Sequence, residues 1–349
     1  MLGDGELQAG LAARFRSGDR SRRPDRPSRF RPMRRRFRTL IGLAGLAAAL
    51  VAVTALWLAG GRPPAYGELA EVTRWREDPT QTGTGLERVR LTSRSGRRVE
   101  CVLRRQMGPS GRRGGTAVLL LGGIGTGRRA ATVVDPRHDV VILACDYPWA
   151  DPSRLPLWRL VPRLPAIRGE VLATPQALAL AASFLVAQPE VDPRRLTAIG
   201  ASLGVPFVAA WAAADLRVAA VALVYGGGNF GVLFEANLRR KIGAAWLRDL
   251  AARGAAALLR DLDPERTVER IAPRPLLLIG SSDDERVPRA SMEALERAAH
   301  GPTRSLRFGG RHMLPNDTAL LRAITDSTYA WLARVAAPLS PYVPSRHLR

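Results

Sequence analysis

The chain has 349 residues, 46% of them hydrophobic, and a formal net charge of +22, enough apolar material for one sizeable α/β domain with appended segments. The positive charge is carried by arginine, with Lys241 the only lysine, and no basic helix with interleaved aromatics or nucleic-acid module accompanies it, so no nucleic-acid partner is expected. Four histidines and two cysteines, none at metal-ligand spacing, argue against a metal or other cofactor.

Residues 1–38 are rich in Arg, Pro and Ser without apolar periodicity, which predicts a disordered basic tail. Residues 39–61 follow without a charge, a stretch long enough to cross a bilayer at about 1.5 Å per residue. Arg34, Arg35, Arg36 and Arg38 precede it and only Arg62 follows closely, so the positive-inside rule puts the N-terminus in the cytoplasm. The reading is a signal anchor, a single pass through the inner (plasma) membrane with the folded domain on the periplasmic or extracellular side. The alternative is a cleaved signal, with Ala59-Gly60-Gly61 as its small-residue site, and an exported soluble form. A basic surface beside such a span would be drawn to anionic headgroups.

Residues 62–85 read as a linker, 86–335 as the folded domain and 336–349 as a tail. A hairpin, Leu86 to Thr92 and Val99 to Arg104, turns at Ser95-Gly96 and is expected at the antiparallel edge. Strands are predicted at 116–121, 139–144, 196–200, 218–224, 275–279 and 304–308. They alternate with helices near 175–187, 203–214, 289–299 and 317–335, which implies a mostly parallel sheet covered on both faces. Two stretches fall outside the alternation, 147–167 with Trp149 and Trp158, and 226–260, and both are expected to shape a ligand site as small caps. Cys101 and Cys145 fall in or beside separate strands, as small buried residues or, in an oxidising compartment, as a disulfide.

The most informative segment is Gly200-Ala201-Ser202-Leu203-Gly204, between the apolar run 196–199 and the Ala-rich stretch 205–214. A G-x-S-x-G between strand and helix is the turn that lifts a serine oxygen above a sheet edge, so Ser202 is a candidate nucleophile. Such a serine needs a histidine base and a carboxylate to orient it. His138 precedes Ser202 in a turn, His300 ends a helical stretch and His347 lies in the tail, which leaves His312, on a loop after Gly309-Gly310. The carboxylate is sought after the apolar strand 275–279, in Gly280-Ser281-Ser282-Asp283-Asp284-Glu285. An oxyanion also needs two backbone N–H groups, one expected from Leu203 and one from the glycine-rich loop 122–127 that follows the strand at 116–121. That loop lacks the register of a dinucleotide fingerprint and the Lys-Ser/Thr of a P-loop.

With the elbow at 200–204, the segment 271–280 followed by Asp284-Glu285-Arg286-Val287-Pro288, and the loop histidine 312, the chain resembles the α/β-hydrolase superfamily over about residues 86–335. The resemblance is to its dienelactone-hydrolase-like and prolyl-oligopeptidase-like branch of serine esterases and peptidases. It implies an α/β-hydrolase fold with small cap insertions, here preceded by one transmembrane helix, and a triad of Ser202, Asp284 and His312. The family's Asp-x-x-Val spacing selects Asp284, whereas counting three residues from Gly280 selects Asp283. By the same similarity the family's His-Gly is replaced by Gly122-Gly123, with Ile124 as the second oxyanion donor. The expected activity is hydrolysis of a carboxylic ester through an acyl-enzyme, on a small-molecule or lipid-like substrate. A peptidase or thioesterase on the same triad is one alternative, and a catalytically silent membrane-tethered binding protein is another.

Overall fold

The computed structural model describes residues 51, 54, 55, 60, 63–76, 85–106, 115–123, 125–134, 140–149, 156, 159 and 161–335. The anchor expected over 39–61 and both termini therefore lie almost wholly outside the described residues. Among those described, Leu164–Val186 is long and apolar enough to cross a membrane. It is instead a core helix, with Ala177, Leu178, Ala181 and Leu185 all buried.

Among the described residues nine strands form one sheet: β1 (Leu69–Arg76), β2 (Leu86–Ser93), β3 (Arg98–Gln106), β4 (Gly115–Leu121), β5 (Val140–Cys145), β6 (Val191–Ala201), β7 (Val218–Val224), β8 (Leu276–Ser281) and β9 (Thr303–Phe308). Their spatial order is β1-β2-β3-β5-β4-β6-β7-β8-β9. Pairing is antiparallel from β1 to β5 and parallel from β5 through β4 to β9. The chain runs outward from β4 to β5 on one side and to β6 on the other, so the carboxyl ends of β4 and β6 form the switch point where open α/β sheets bind ligands.

Two expectations are corrected here. The segment 62–85 is not a plain linker, because β1 pairs with β2 from Leu69 to Arg76, and the hairpin is therefore one strand in from the edge. Alternating charge and apolar residues in Leu69–Arg76 suit a half-buried edge strand, a signal too short and too polar to stand out. The helix expected near 175–187 begins at Leu164 and carries Pro175 in its interior. A proline reads as a helix start because its missing N–H costs nothing in the first turn, yet packing of the preceding turns carries the helix through it.

The helices are α1 (Ala130–Val133), α2 (Leu164–Val186), α3 (Gly204–Ala214), α4 (Phe230–Leu238), α5 (Ala245–Leu258), α6 (Pro264–Thr267), α7 (Arg289–Ala298) and α8 (Thr318–Val335). Strand alternation sends Ala117, Leu119 and Leu121 of β4 to one face, into a large core with Leu178 and Leu185 of α2 and Val208 and Trp211 of α3. Val118 and Leu120 go to the other face, into a small cluster with Ala130 and Ala131 of α1. A second small cluster on that face joins Ala222 and Val224 of β7 and Ile279 of β8 to Ile324, Trp331 and Leu332 of α8. Each fully buried leucine on the large face contributes about 2–3 kcal/mol of hydrophobic stabilisation.

Cys101 and Cys145 stand directly opposite in the β3–β5 ladder. Both are buried free thiols with their Sγ atoms 2.7 Å apart. Burial first, and the neighbouring Cys145 second, push the Cys101 thiol well above its ordinary range.

Candidate active site

β6 ends in the sharp turn that its sequence predicts. Ser202 is held at φ 52°, a left-handed conformation that costs a serine energy. Two bonds over-determine it: its N–H donates to the Val224 carbonyl at 2.8 Å, and its carbonyl accepts from Val205 N–H at 3.1 Å. Gly204 opens α3 against β4, where a Cβ would collide with the Leu121 carbonyl oxygen. That close approach explains the second glycine of the motif.

The turn lifts the Ser202 hydroxyl to 2.8 Å from His312 Nε2. His312 Nδ1 lies 2.7 Å from Asp284 Oδ2, and both side chains are 2% exposed. Serine, imidazole and carboxylate thus make one hydrogen-bonded chain. Asp283 takes no part in it: its carboxylate faces the Gly310 N–H at 3.5 Å. Asp284 is further locked because its Oδ1 accepts from the N–H groups of Arg286 at 2.8 Å and Val287 at 2.9 Å. Of the two acids raised by the sequence, Asp284 is the one brought to the histidine.

Three neighbours of this chain carry no sequence motif. Glu285 Oε2 accepts the His312 N–H at 2.9 Å, and Arg311 lies 3.5 Å from its other oxygen. The His312 N–H bond is the main reason the Glu285 carboxyl is held down at about 2. Ser281, at the end of β8, donates to the Gly310 carbonyl and ties the acid strand to the histidine loop. The buried Tyr225 packs edge-on against the His312 ring, with centroids 5.7 Å apart. Burial, and then Asp284 and Asp317, push the Tyr225 hydroxyl up to about 12. The one clue to Glu285 was its place beside the acid in a run of three carboxylates.

Of the two expected oxyanion donors, Leu203 stands at the N-terminal end of α3, directly after Ser202, and Ile124 lies outside the described residues. The loop before Ile124 is tightly held. Tyr147 Oη donates to the Gly122 carbonyl at 2.6 Å, and the Gly123 carbonyl accepts from Thr126 N–H at 3.1 Å. Asp146 accepts from Arg128 N–H at 2.8 Å and pairs with its guanidinium at 3.1 Å. Gly123 itself abuts the serine: a Cβ there would sit 3.2 Å from Ser202 Cβ and 3.6 Å from Oγ. Among the described residues no cluster of three or more His, Cys, Asp or Glu could hold a metal ion.

A cavity of about 370 Å³ opens beside Ser202 and His312. Among the described residues of the two stretches expected to cap the site, none lines it, and Trp158 lies outside the described residues. Tyr147 and Trp149, and Leu233 and Phe234 of α4, pack against the large core instead. The walls come from the other face of the sheet, from β4, β6, α1 and α8.

No protein-family model matches the chain, and no curated protein matches it in sequence. Solved structures do match its fold. Acetyl xylan esterase 1 from Thermoanaerobacterium sp. JW/SL YS485 superposes with a TM-score of 0.55 at 12% identity, over 82% of this chain and 94% of that one. A Mycobacterium tuberculosis puromycin-hydrolyzing peptidase gives 0.54 at 16% identity, over 74% of this chain and 40% of that one. The acetyl xylan esterase of Paenibacillus sp. R4 gives 0.51 at 17% identity, over 77% and 98%. At such identities the likeness is one of fold alone, an α/β-hydrolase fold with a mostly parallel sheet and helices on both faces.

Proposed function

We propose that the protein is a serine hydrolase that cleaves a carboxylic ester through an acyl-enzyme. The observation that carries this reading is the continuous chain from the Ser202 hydroxyl through His312 to Asp284 at 2.8 and 2.7 Å. In the proposed cycle His312 Nε2 takes the Ser202 proton as Oγ attacks the ester carbonyl, while Asp284 fixes the imidazole through Nδ1–H and stabilises the imidazolium. Collapse of the tetrahedral intermediate releases the alcohol, which receives the proton from His312. Water, deprotonated by the same imidazole, then frees the acid and regenerates Ser202. Backbone N–H groups of Leu203 and Ile124 are proposed to hold the oxyanion.

The two acetyl xylan esterases among the structural neighbours support an ester bond, and the peptidase neighbour keeps a peptide bond as the second reading. The uncharged run 39–61 with its arginine-rich N-terminal flank supports a single membrane pass, with the hydrolase domain on the periplasmic or extracellular side. Resistance of the full-length protein to alkaline extraction from membranes, together with protease access from outside the cell or from the periplasm, tests that topology. Release of a soluble, N-terminally shortened chain would replace it with the exported form.

The catalytic reading is tested by labelling the full-length protein with a fluorophosphonate probe beside Ser202→Ala and His312→Ala. Labelling that both substitutions abolish is expected. A well-folded wild-type protein that takes up no label would replace the enzyme with a binding protein on the same scaffold.

A further inference from the structure

We propose that the acyl part of the substrate is an unbranched aliphatic chain of medium length, seated between the sheet and α8. The inference deepens the esterase reading and rests on it. The cavity begins at Ser202 and His312 and is walled by Val118 and Leu120 of β4, Ile199 of β6, Val133 of α1, and Leu321 and Ile324 of α8. Aliphatic walls recognise a ligand by removing its apolar surface from water, and each methylene so buried favours binding about fourfold.

Polar groups on these walls are few, the hydroxyls of Thr126, Thr325, Thr328 and Tyr329. The Thr328 hydroxyl donates to the Ile324 carbonyl at 2.8 Å, within its own helix. Arg286, the lining residue with a permanent charge, is exposed. A sugar or a charged acyl group would lose hydration along such walls and regain little.

Two geometric measures give the same length. Val118 and Leu120 of β4 and Gly122 just after it line the cavity, a run of about 13 Å at about 3.3 Å per residue. Leu321, Ile324, Thr325, Thr328 and Tyr329 recur at helical spacing on one face of α8, a run of about 12 Å at about 1.5 Å per residue. An extended chain advances about 3.5 Å per three backbone bonds, so a run of about 12 to 13 Å takes an acyl chain of roughly eight to twelve carbons, and a cavity of about 370 Å³ gives it room. The space exists because short side chains, Ala130, Ala201, Thr325 and Thr328, face one another across it. An acetyl group would leave most of it empty.

The test is hydrolysis of p-nitrophenyl esters with acyl chains of 2 to 16 carbons by the full-length protein, by Ile324→Trp, and by Val133→Phe as a second filling of the cavity from the opposite wall. Wild-type kcat/KM should rise at least tenfold from the acetyl ester to an optimum between about 8 and 12 carbons and fall by 16. Each filled variant should lower the ratio of octanoyl to acetyl turnover at least tenfold. A second readout needs no chemistry: Ser202→Ala should bind decanoate, measured by displacement of a fluorescent fatty acid, and Ser202→Ala combined with Ile324→Trp should not. Turnover fastest on acetyl esters, with a ratio that neither filling shifts, would overturn the chain site and leave the esterase standing. Decanoate binding without turnover of any ester would do the reverse.

Discussion

Leu119 and Leu120 are neighbours on β4, both almost fully buried, yet they meet different interiors. Leu119 enters a continuous core in which α2 and α3 present leucine, valine, phenylalanine and tryptophan to the sheet. Leu120 enters a small cluster that stops short of the one under α8, and the cavity lies between the two. Among the described residues, Ile199 and Tyr329 touch both small clusters. The dense face fixes the strand ends on which Ser202 sits, and the loose face leaves room beside the serine for a ligand. An interior of native density is rigid, so filling both faces to that density would leave the proposed nucleophile well supported but with nowhere to hold the proposed long acyl group.

The proposed chemistry stands where the two faces meet, and breaking it should have the largest effect. Ser202→Ala and His312→Ala are expected to lower ester turnover by three orders of magnitude or more, and Asp284→Asn by about 10⁴-fold through loss of the correct imidazole tautomer. Melting temperatures should stay near the wild-type value. Retained turnover in any of the three would remove that residue from the mechanism.

Stability measured by denaturant unfolding sharpens the contrast next. Leu119→Ala should cost about 3–5 kcal/mol, because the packed face cannot collapse around the void. Leu120→Ala should fall near 2 kcal/mol, since part of its surface already faces the cavity and fewer contacts are lost. Equal costs would mean that the two faces are equally dense. The opposite substitution separates them again. Ala181→Leu on α2 should cost about 1–3 kcal/mol by overpacking, whereas Ala130→Leu, pointing into the cavity, should cost less than about 1 kcal/mol.

The smallest effect concerns the carboxylate that holds the histidine loop. The folded-state pKa of Glu285, about 2, lies below the unfolded value of about 4.3, so the unfolded chain binds more protons between them and stability rises with pH across that window. Glu285→Gln should therefore melt below the wild type above about pH 4.5, and the two melting temperatures should converge as the pH falls toward 2. A difference independent of pH would mean that packing, rather than charge, sets the contribution of this side chain.

The sequence by itself determined the class of fold, the strand and helix alternation, and the order Ser202, acid, His312, because each rests on residues near one another in the chain. Glycines around a serine, an apolar run before an acid and a period of two or 3.6 are local signals. Tertiary structure decided what depends on residues far apart. It chose Asp284 over Asp283, since only a folded loop decides which carboxylate reaches His312. It drew Leu69–Arg76 into the sheet and set Gly123 against Ser202. Above all it decided where the ligand space lies. The bulky residues of 147–167 and 226–260 suggested a cap, but Tyr147, Trp149, Leu233 and Phe234 pack against the core, and Trp246 is exposed to solvent. The space comes instead from short side chains on three separate elements that meet only once the sheet and α8 are assembled, and a sum of volumes across a non-local interface leaves no periodic trace in the chain.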